Sequence, residues 1–438
     1  MPPLGSPSTT GNITLFEYED TDGLTEREIK LLSRFSKIHG IEILRPILRQ
    51  GKTSFQARQY VGILRLGRRT LQILPKVYRS QDRELGEQEA ARNLLMMLDY
   101  AGHLGIRETH LAELNKSKDW FEVLIHFFAL NLKRQWIKGP SRSYEPIDAS
   151  LSVLKGKWRF SAQIRRPEQK HQFAVTYDEF TQDNLLNRVF RYVVEGLLQL
   201  TRDHQNHQML SELRYWMDGI LLLPVVTSQM AQNICLTRMN QQYEPLLNLA
   251  RLFLDRIGLE LSASDQTAFA FVFDMNQLFE GFLTGFIQRH RRDVLPTSLQ
   301  DCQILPQGRQ AVLYLAQTQG RPVFRLKPDL VFRQNHAYPL LIDFKYKELK
   351  PANHKVGIIE ADFYQMYAYL NRFNCPQVTL MYPQTSNFTK PIRFRFSLES
   401  GLGNITAVTV NLLKDLSTKQ TKQDLITELN QIFEDTDG

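Results

Sequence analysis

The chain has 438 residues, of which 42% are hydrophobic and 23% are charged, and this predicts a globular protein of roughly two or three domains. The net charge of +8 favours an anionic partner such as nucleic acid. Three widely spaced cysteines, Cys235, Cys302 and Cys375, exclude the usual zinc and iron–sulfur spacings, and no apolar run is long enough to span a membrane. We therefore expect a reducing, cytoplasmic environment and no membrane partner.

The first part of the chain is predicted to be an α+β region. Residues 1–12 are rich in Pro, Gly and Ser and are expected to form a disordered lead, and residues 13–175 are expected to form the N-terminal domain. Apolar periodicity and turn residues predict a strand at Ile13–Tyr18, a helix at Thr25–His39, a β-hairpin of Tyr60–Leu66 with Thr70–Val77, and helices at Ala90–Leu98 and Trp120–Trp136.

The second part, residues 176–438, is predicted to begin with helices and to continue as a mixed α/β sheet. The predicted helices are Asp183–Leu200, Gln208–Leu223, Tyr243–Ile257 and a long helix at Gln266–Arg289. Short apolar runs then predict strands at Ala311–Leu315, Val323–Phe332, Tyr338–Tyr346, Val378–Tyr382, Ile392–Ser397 and Ala407–Leu413. A helix at Ile359–Phe373 interrupts them, and a final helix follows Thr418. This order is typical of a mixed sheet, with a core at about residues 266–415.

Two acidic residues and a lysine interrupt the apolar strands of this sheet. Asp343 follows a run of three apolar residues, and Lys345 lies two positions further on, so both side chains belong to one face of the strand. Asp329 lies on the preceding strand and can face Asp343 across a short turn. Because two carboxylates repel each other unless a cation lies between them, this pattern predicts a Mg²⁺ site.

The lysine adds a second chemical requirement of phosphodiester hydrolysis. The Lys345 ammonium cannot bind a metal, but it can orient an attacking water and offset charge on a phosphate. The alternative is an ordinary solvated pair of Asp343 and Lys345 at a strand end. That alternative is weakened because Asp343 emerges from a buried strand, where an unpaired acid is costly.

Further polar residues fall in order around these three. Glu280 lies on an otherwise apolar helix face, where it is either part of the site or a plain surface glutamate. Gln365 and Tyr369 are four residues apart on one helix face, with Asp362 one turn earlier. The alternative for that helix is an aromatic core helix without a role in chemistry.

Taken together, these elements resemble the PD-(D/E)xK nuclease superfamily, in the branch that has a QxxxY helix. More closely, the sequence resembles the McrC family, the nuclease partner of the GTP-driven McrB motor in modification-dependent (type IV) restriction. The resemblance is carried most specifically by Phe273–Phe282, Lys327–Asp329, Ile342–Tyr346 and Ala361–Tyr369. It extends more weakly to Val61–Lys76, Leu154–Lys157 and Asp183–Asn187.

This resemblance implies a restriction-endonuclease-like C-terminal domain with a mixed central sheet, cleaving DNA with Mg²⁺ or with Mn²⁺ in its place. The metal would be bound by Asp329, Asp343 and Glu280, and Lys345 would activate water. Gln365 and Tyr369 would contact DNA or hold the lysine in position.

The resemblance also implies partners. Residues 13–175 would dock on a hexameric McrB-like AAA+ GTPase and stimulate it, and that partner would recognise modified cytosine (5-methylcytosine) in double-stranded DNA. A second nuclease chain would be needed to cut both strands. No nucleotide site is expected in this chain, because Gly51-Lys52-Thr53 resembles the end of a P-loop but Pro46 occupies the position of its first glycine.

A basic segment, Lys133–His171, holds ten Lys and Arg residues against three acids. Its strongest candidates for contacts with DNA phosphates are Lys157, Arg165 and Arg166. The alternatives are a solvated face or a surface that meets the motor subunit.

Two other functions remain open from the sequence. The first is a non-catalytic adaptor that bridges DNA and the motor, against which the presence of all the expected site residues argues. The second is a stand-alone RecB-like nuclease. Relatives of that kind often carry four cysteines for an iron–sulfur cluster, and the three scattered cysteines of this chain do not fit such a cluster.

Overall fold

The computed structural model describes residues 12–49, 51–66, 69–79, 82–102, 120–165, 168, 171–257, 268–349, 357–385, 391–399, 401 and 403–434. The predicted disordered lead, residues 1–12, lies outside them except for Asn12. The chain forms two compact units. One combines Met1–Lys116 with Ser264–Gly438, and the other is Ser117–Ala263.

The strands are, in chain order, β1 Ile13–Phe16, β2 Asp20–Thr21, β3 Leu44–Arg49, β4 Lys52–Ala57, β5 Tyr60–Leu66, β6 Arg69–Leu74, β7 Ser143–Leu151, β8 Lys157–Trp158, β9 Phe173–Thr181, β10 Ala268–Asp274, β11 Gln303–Pro306, β12 Leu313–Thr318, β13 Arg321–Leu326, β14 Leu330–Gln334, β15 Ala337–Phe344, β16 Gln377–Pro383, β17 Arg393–Ser397 and β18 Asn404–Val410.

The helices are, in chain order, α1 Glu26–His39, α2 Arg83–Tyr100, α3 Trp120–Lys138, α4 Phe160–Ile164, α5 Leu185–Leu200, α6 His204–Trp216, α7 Ser228–Gln232, α8 Glu244–Ile257, α9 Met275–Arg289, α10 Arg291–Val294, α11 Thr297–Gln300, α12 Glu360–Phe373 and α13 Lys419–Glu434. Short 3₁₀ turns include Lys76–Tyr78 and Gln241–Tyr243.

A four-stranded sheet of the first unit has the strand order β1-β6-β5-β10. β5 and β6 form the predicted hairpin, and β10 pairs antiparallel with β5 along all seven of its residues. Gly62 of β5 is required for this close pairing. Its φ is +146°, and a Cβ at this position would lie 2.1 Å from the carbonyl oxygen of Phe271.

The compact units differ from the predicted division between residues 175 and 176. The β5–β10 pairing joins the N-terminal hairpin to the C-terminal part of the chain, and α2 packs on α9 within the same unit. At Gly285 of α9 an added Cβ would lie 1.8 Å from the carbonyl oxygen of Tyr100, so only glycine fits there. Apolar periodicity reports local structure, and it therefore cannot reveal contacts between segments so far apart in the chain.

A six-stranded sheet, in the order β11-β14-β15-β16-β18-β17, forms the other main layer of the first unit. The β15–β16 and β16–β18 pairs are parallel, whereas the β14–β15 and β17–β18 pairs are antiparallel. Helix α12 is the crossover between the parallel strands β15 and β16. The prediction of a mixed α/β sheet in the C-terminal part is thereby confirmed.

The three-stranded sheet β2-β4-β3 contains the segment that resembles the end of a P-loop. Gly51 has a φ of +76° in the turn between β3 and β4, and Lys52 pairs with Arg49 across the hairpin. Lys52 and Thr53 are therefore strand residues, and of the three only Gly51 lies in the turn.

Two predicted elements are each divided in the structure. The predicted long helix Gln266–Arg289 is wrong in its first part, because β10 precedes α9. β10 contains Phe and Val residues, which favour strands, and it ends at Asp274. The Asp274 side chain caps α9 by accepting a hydrogen bond from the N–H of Asn276 at 2.8 Å. The predicted strand Val323–Phe332 is interrupted by Lys327–Asp329, where Pro328 has no N–H to donate to a sheet.

The second unit packs helices α3, α5, α6 and α8 around an aromatic core, and it also contains the antiparallel sheet β7-β9-β8. The Phe128 ring lies 5.7 Å from that of Phe253 and 6.3 Å from that of Phe190. The buried Glu122 carboxylate accepts hydrogen bonds from Thr201 Oγ1 and Asn206 Nδ2. Across the described residues of both units, no helix combines the length and the apolar character that crossing a membrane requires.

Candidate active site

Asp329 and Asp343 face each other at the end of the β14–β15 hairpin. The strand register ends with Leu330 opposite Ile342; Asp329 is the residue just before β14, and Asp343 is the next residue of β15. The carboxylate of Asp329 is held there because its Oδ2 accepts a hydrogen bond from the N–H of Phe344 at 2.7 Å. The two acids therefore lie together as the strand pattern predicts.

Asp343 and Lys345 form an ion pair on one face of the strand. The Asp343 side chain is 1% exposed, and Lys345 Nζ lies 2.6 Å from its Oδ2. Burial raises the pKa of Asp343, although Lys345 acts in the opposite direction. Burial also disfavours the charged form of Lys345, but the neighbouring Asp343 outweighs this effect and raises the pKa of the lysine. The lysine therefore remains an ammonium beside the acids.

Glu280 of α9 is brought to the same site. Its side chain is half-buried, and its Oε1 accepts a 3.4 Å hydrogen bond from Gln307 Nε2. Burial raises the pKa of Glu280, and repulsion by Asp343 adds to this. The helix packs against the end of β15 through Phe279, whose ring lies 6.3 Å from that of Phe344 and 5.6 Å from that of Tyr346.

The three acids repel one another in a poorly solvated place. Burial, followed by repulsion from Asp343 and Glu280, raises the pKa of Asp329 to about 8. Like charges of this kind are tolerated when a cation is bound between them. The site thus has the negative charge and the oxygen ligands that a divalent cation of the Mg²⁺ type prefers.

A closed protein cage for a metal is not found here: among the described residues, no group of three His, Cys, Asp or Glu side chains is arranged to hold an ion by itself. Mg²⁺ does not need such a cage, because it keeps several waters and takes one or two carboxylates together with substrate phosphates. Asp329 and Asp343 fit as those two carboxylates. Glu280, which bonds to Gln307, fits a supporting position.

A chain of hydrogen bonds holds Lys345 in place from α12. Lys345 Nζ donates to Gln365 Oε1 at 3.2 Å, and Gln365 Nε2 donates to the Tyr369 hydroxyl at 2.7 Å. That hydroxyl in turn donates to the carbonyl oxygen of Lys327 at 2.9 Å. Both of the helix residues singled out in the sequence therefore act on the lysine, and they also tie it to the segment that carries Asp329.

Asp362, one turn before Gln365, serves a different lysine. Both oxygens of its nearly buried carboxylate accept hydrogen bonds from Lys347 Nζ, at 2.7 and 3.0 Å. The charge of Asp362 contributes to the raised pKa values of Asp343 and Lys345. This pair therefore borders the acidic site, and Lys347 is a second ammonium beside it.

A buried cluster of Glu17, Lys76 and Tyr346 lies next to the end of β15, and the sequence did not reveal it. Glu17 is fully buried, and its Oε2 accepts hydrogen bonds from the Lys76 N–H at 3.0 Å and the Tyr346 hydroxyl at 2.9 Å. Lys76 Nζ lies between two rings, 4.9 Å from that of Tyr18 and 4.8 Å from that of Tyr346. The only signal was Lys76, the last residue of the Val61–Lys76 segment that carries part of the family resemblance.

The predicted DNA-binding residues belong to the second unit. Lys157 opens β8, and both it and Arg165 are exposed, whereas Arg166 lies outside the described residues. Within the same segment Arg159 is paired with Asp148 at 2.6 Å. Exposed rings of Trp158 and Phe160 lie beside these residues, with their centroids 4.9 Å apart.

The fold and the site define a mixed α/β protein with a partly buried acidic cluster and the Lys345 ammonium at the end of a central strand. The sequence model of the family described as "McrBC 5-methylcytosine restriction system component" matches residues 55–383, and the chain belongs to this family. The family resemblance stated from the sequence motifs is thereby confirmed.

A solved structure points to the same system. One, described as a refined half-complex from a tetradecameric assembly of Thermococcus gammatolerans McrB AAA+ hexamers with bound McrC, is 25% identical, with a TM-score of 0.67 over 96% of this chain and 100% of that chain. Another, the cryo-EM structure of the Thermococcus gammatolerans McrBC complex, is 27% identical, with a TM-score of 0.49 over 64% of this chain and 88% of that chain. None of the curated proteins compared matches this chain.

Proposed function

We propose that this chain is the Mg²⁺-dependent DNA endonuclease subunit of a modification-dependent restriction complex. The observation that carries the proposal is the pair of facing acids, Asp329 and Asp343, with the Lys345 ammonium 2.6 Å from the second. Membership of the McrBC family supports a restriction role in general. The PD-(D/E)xK architecture and the dependence on Mg²⁺ are part of the proposal.

The side chains divide the chemistry among them. A Mg²⁺ held by Asp329 and Asp343 would polarise a phosphoryl oxygen and lower the pKa of a bound water. Lys345 is an ammonium rather than a base, so it acts by donating hydrogen bonds: it orients the attacking water and offsets charge on the phosphate. Gln365 keeps that ammonium aimed at the site, which limits the reorganisation needed when a phosphodiester binds.

The proposal includes partners. The related structure contains McrB AAA+ hexamers with bound McrC, and we propose that this chain binds an AAA+ GTPase hexamer of the same kind. The N-terminal segment, residues 13–175, would supply the docking surface and stimulate the motor, and the motor would recognise 5-methylcytosine. A second copy of the nuclease chain would complete a double-strand break.

Cleavage of a methylated plasmid by the purified chain with its AAA+ partner, GTP and Mg²⁺ tests this function. Asp343→Ala and Lys345→Ala are expected to abolish cleavage while leaving folding and partner binding intact. Asp301→Asn, which alters an exposed acid away from the site, is the matched control and should cut normally. Chelation with EDTA should stop the reaction, and added Mg²⁺ or Mn²⁺ should restore it. A normal rate from either site variant would contradict the proposal.

One observation favours a non-catalytic adaptor as the second candidate: no group of three potential ligands among the described residues is arranged to hold a metal unaided. An adaptor would bind DNA and the motor with no cleavage at any concentration of Mg²⁺ or Mn²⁺. The same plasmid assay separates the two functions, and the stand-alone RecB-like nuclease would be recognised by cleavage without the partner.

A further inference from the structure

Strands β12 and β13 form a narrow two-stranded ribbon, residues 313–326, that no other described strand extends. Thr318 pairs with Arg321 across a two-residue turn, Gln319-Gly320, in which φ is +51° and +74°. Positive φ at both positions is the geometry of a type I′ turn, which follows the natural twist of a hairpin. One antiparallel register, interrupted only at Leu315 and Phe324, therefore runs to the tip of the ribbon.

The base of the ribbon is fixed to the candidate active site. Arg372 Nε of α12 donates to the carbonyl oxygen of Tyr314 at 2.8 Å, and Leu313 and Leu326 pack against the core beneath the six-stranded sheet. The carbonyl oxygen of Lys327, just past the last ribbon residue, accepts the hydrogen bond of Tyr369 that belongs to the lysine-holding chain. The base of the ribbon is thus held in a defined position relative to the acids.

The surface of the ribbon carries positive charge only. From residue 302 to residue 328 the sequence has no Asp or Glu, and its cationic residues Arg309, Arg321, Arg325 and Lys327 are all exposed. Arg321 and Arg325 are four residues apart on one strand, so they belong to one face of the ribbon. The described acids give neither arginine an ion pair. Their charge is therefore left for an anionic partner.

Two large apolar side chains are exposed on the same ribbon. Phe324 is 72% exposed and Leu315 is 51% exposed, and the register of the neighbouring pairs sets them opposite each other. Phe324 has a φ of +57°, a conformation that a bulky residue rarely adopts. An exposed aromatic held in this conformation gains nothing from the folded core, which points to a contact made outside the chain.

We propose that the 313–326 ribbon is a DNA-binding arm, which lies in a groove of the duplex beside the phosphodiester to be cut. This deepens the proposed nuclease function and rests on it. The major groove admits a two-stranded ribbon, and six strand residues span about 20 Å, or roughly six base pairs. Arg321 and Arg325 contact phosphates along the groove wall, and Phe324, which strand alternation assigns to the other face of the ribbon, packs against sugars and bases on that side. Charge favours DNA over a second protein chain as the occupant.

Equilibrium binding of the full chain to a fluorescent duplex in EDTA tests the arm without requiring cleavage. The double variant Arg321→Ala with Arg325→Ala is expected to bind at least tenfold more weakly near 150 mM salt. Because it loses two phosphate contacts, the slope of log K against log salt should fall by about two. Arg292→Ala with Arg395→Ala removes the same charge from exposed positions elsewhere in the unit, and it should leave the slope unchanged.

Phe324→Asn separates the aromatic contact from the charges, because asparagine tolerates the positive φ. It should weaken binding several-fold and leave the salt slope unaltered. The arm is disproved if the double arginine variant binds with wild-type affinity and slope, if the wild-type chain fails to bind at 50 mM salt, or if the variant loses only its assembly with the AAA+ partner or with a second copy.

Failure of the arm and failure of the nuclease function are distinguishable. If the double arginine variant binds DNA normally while Asp343→Ala abolishes cleavage, the DNA-binding arm is disproved and the nuclease function stands. If the chain binds DNA through Arg321 and Arg325 but never cuts it, the DNA-binding arm stands and the nuclease function is disproved.

Discussion

Two clusters that each contain a buried acid and a lysine lie at the end of strand β15, and they differ in the groups that surround the acid. Asp343 has the Lys345 ammonium on one side and faces a second carboxylate, Asp329, on the other. Glu17 faces no acid of its own cluster, and it accepts hydrogen bonds from a backbone N–H and the Tyr346 hydroxyl. Both acids are buried, so repulsion by neighbouring acids, and not burial by itself, is what distinguishes the candidate active site.

Asp329→Asn is the strongest test of the difference between the two clusters. Asparagine keeps an oxygen that can accept the hydrogen bond of the Phe344 N–H, and it removes the charge that repels Asp343 and Glu280. We expect the melting temperature to be unchanged or higher. Cleavage should fall by more than the roughly 10–100-fold that the loss of a partner supporting a metal ligand costs. Plasmid cleavage and thermal unfolding of one preparation measure both, and an active Asp329→Asn chain would remove this acid from the site.

Glu17→Ala should show the opposite behaviour. It leaves the Tyr346 hydroxyl and the Lys76 N–H without their acceptor in a fully buried place, and we expect a loss of about 3 kcal/mol in the free energy of unfolding. Glu17→Gln keeps the size and an acceptor oxygen, so it is the matched control. Chemical denaturation reports the stability, and a Glu17→Ala chain as stable as the wild type would contradict the structural role of the cluster.

The same pair of variants gives a dependence on pH whose sign follows from burial. Burial raises the pKa of Glu17 from 4.5 to about 7, against the effects of Lys76, its N–H and the Tyr346 hydroxyl, while Asp274 adds a small repulsion. The folded chain therefore favours the neutral carboxyl. Its contribution to stability is complete below about pH 4.5 and is lost as the pH rises through 7, by up to about 3 kcal/mol. Glu17→Gln should lack this component of the decline, and an identical decline in both chains would refute it.

Gln365→Ala tests the hydrogen bonds that distinguish Lys345 from Lys76, the lysine of the other cluster. Gln365 holds Lys345 from the side and is itself fixed by Tyr369. Among these three hydrogen-bonded residues, only the lysine is charged. We expect cleavage to fall about tenfold to a hundredfold, since the ammonium keeps its charge but loses its orientation. Gln365→Glu should not restore activity, because it adds a negative charge. Initial rates over a range of DNA concentrations should show a fall in kcat rather than a rise in KM.

How much of this arrangement could be predicted depends on distance along the chain. Asp343 and Lys345 belong to one strand, and the alternation of its side chains is enough to place them together. Glu17 and Tyr346 are 329 residues apart, and no periodic pattern connects them. Strand β10 was predicted as helix although its Phe and Val residues favour a strand. Its pairing with β5 depends on the close approach that Gly62 allows, and a pattern within residues 268–274 does not show that partner.

Lys76→Met is expected to have the smallest effect of these variants. The Lys76 ammonium lies over the rings of Tyr18 and Tyr346, and methionine preserves the length of the side chain without the charge. We expect a loss of about 1 kcal/mol in stability, the usual size of a partly buried cation–π contact. The loss of a nearby positive charge should also raise the pKa of Glu17 further. Cleavage per folded molecule should be unchanged, whereas Lys345→Met should remove cleavage. If Lys76→Met instead abolished cleavage in a folded chain, the two clusters would act as one site, and repulsion between acids would no longer distinguish the candidate active site from the Glu17 cluster.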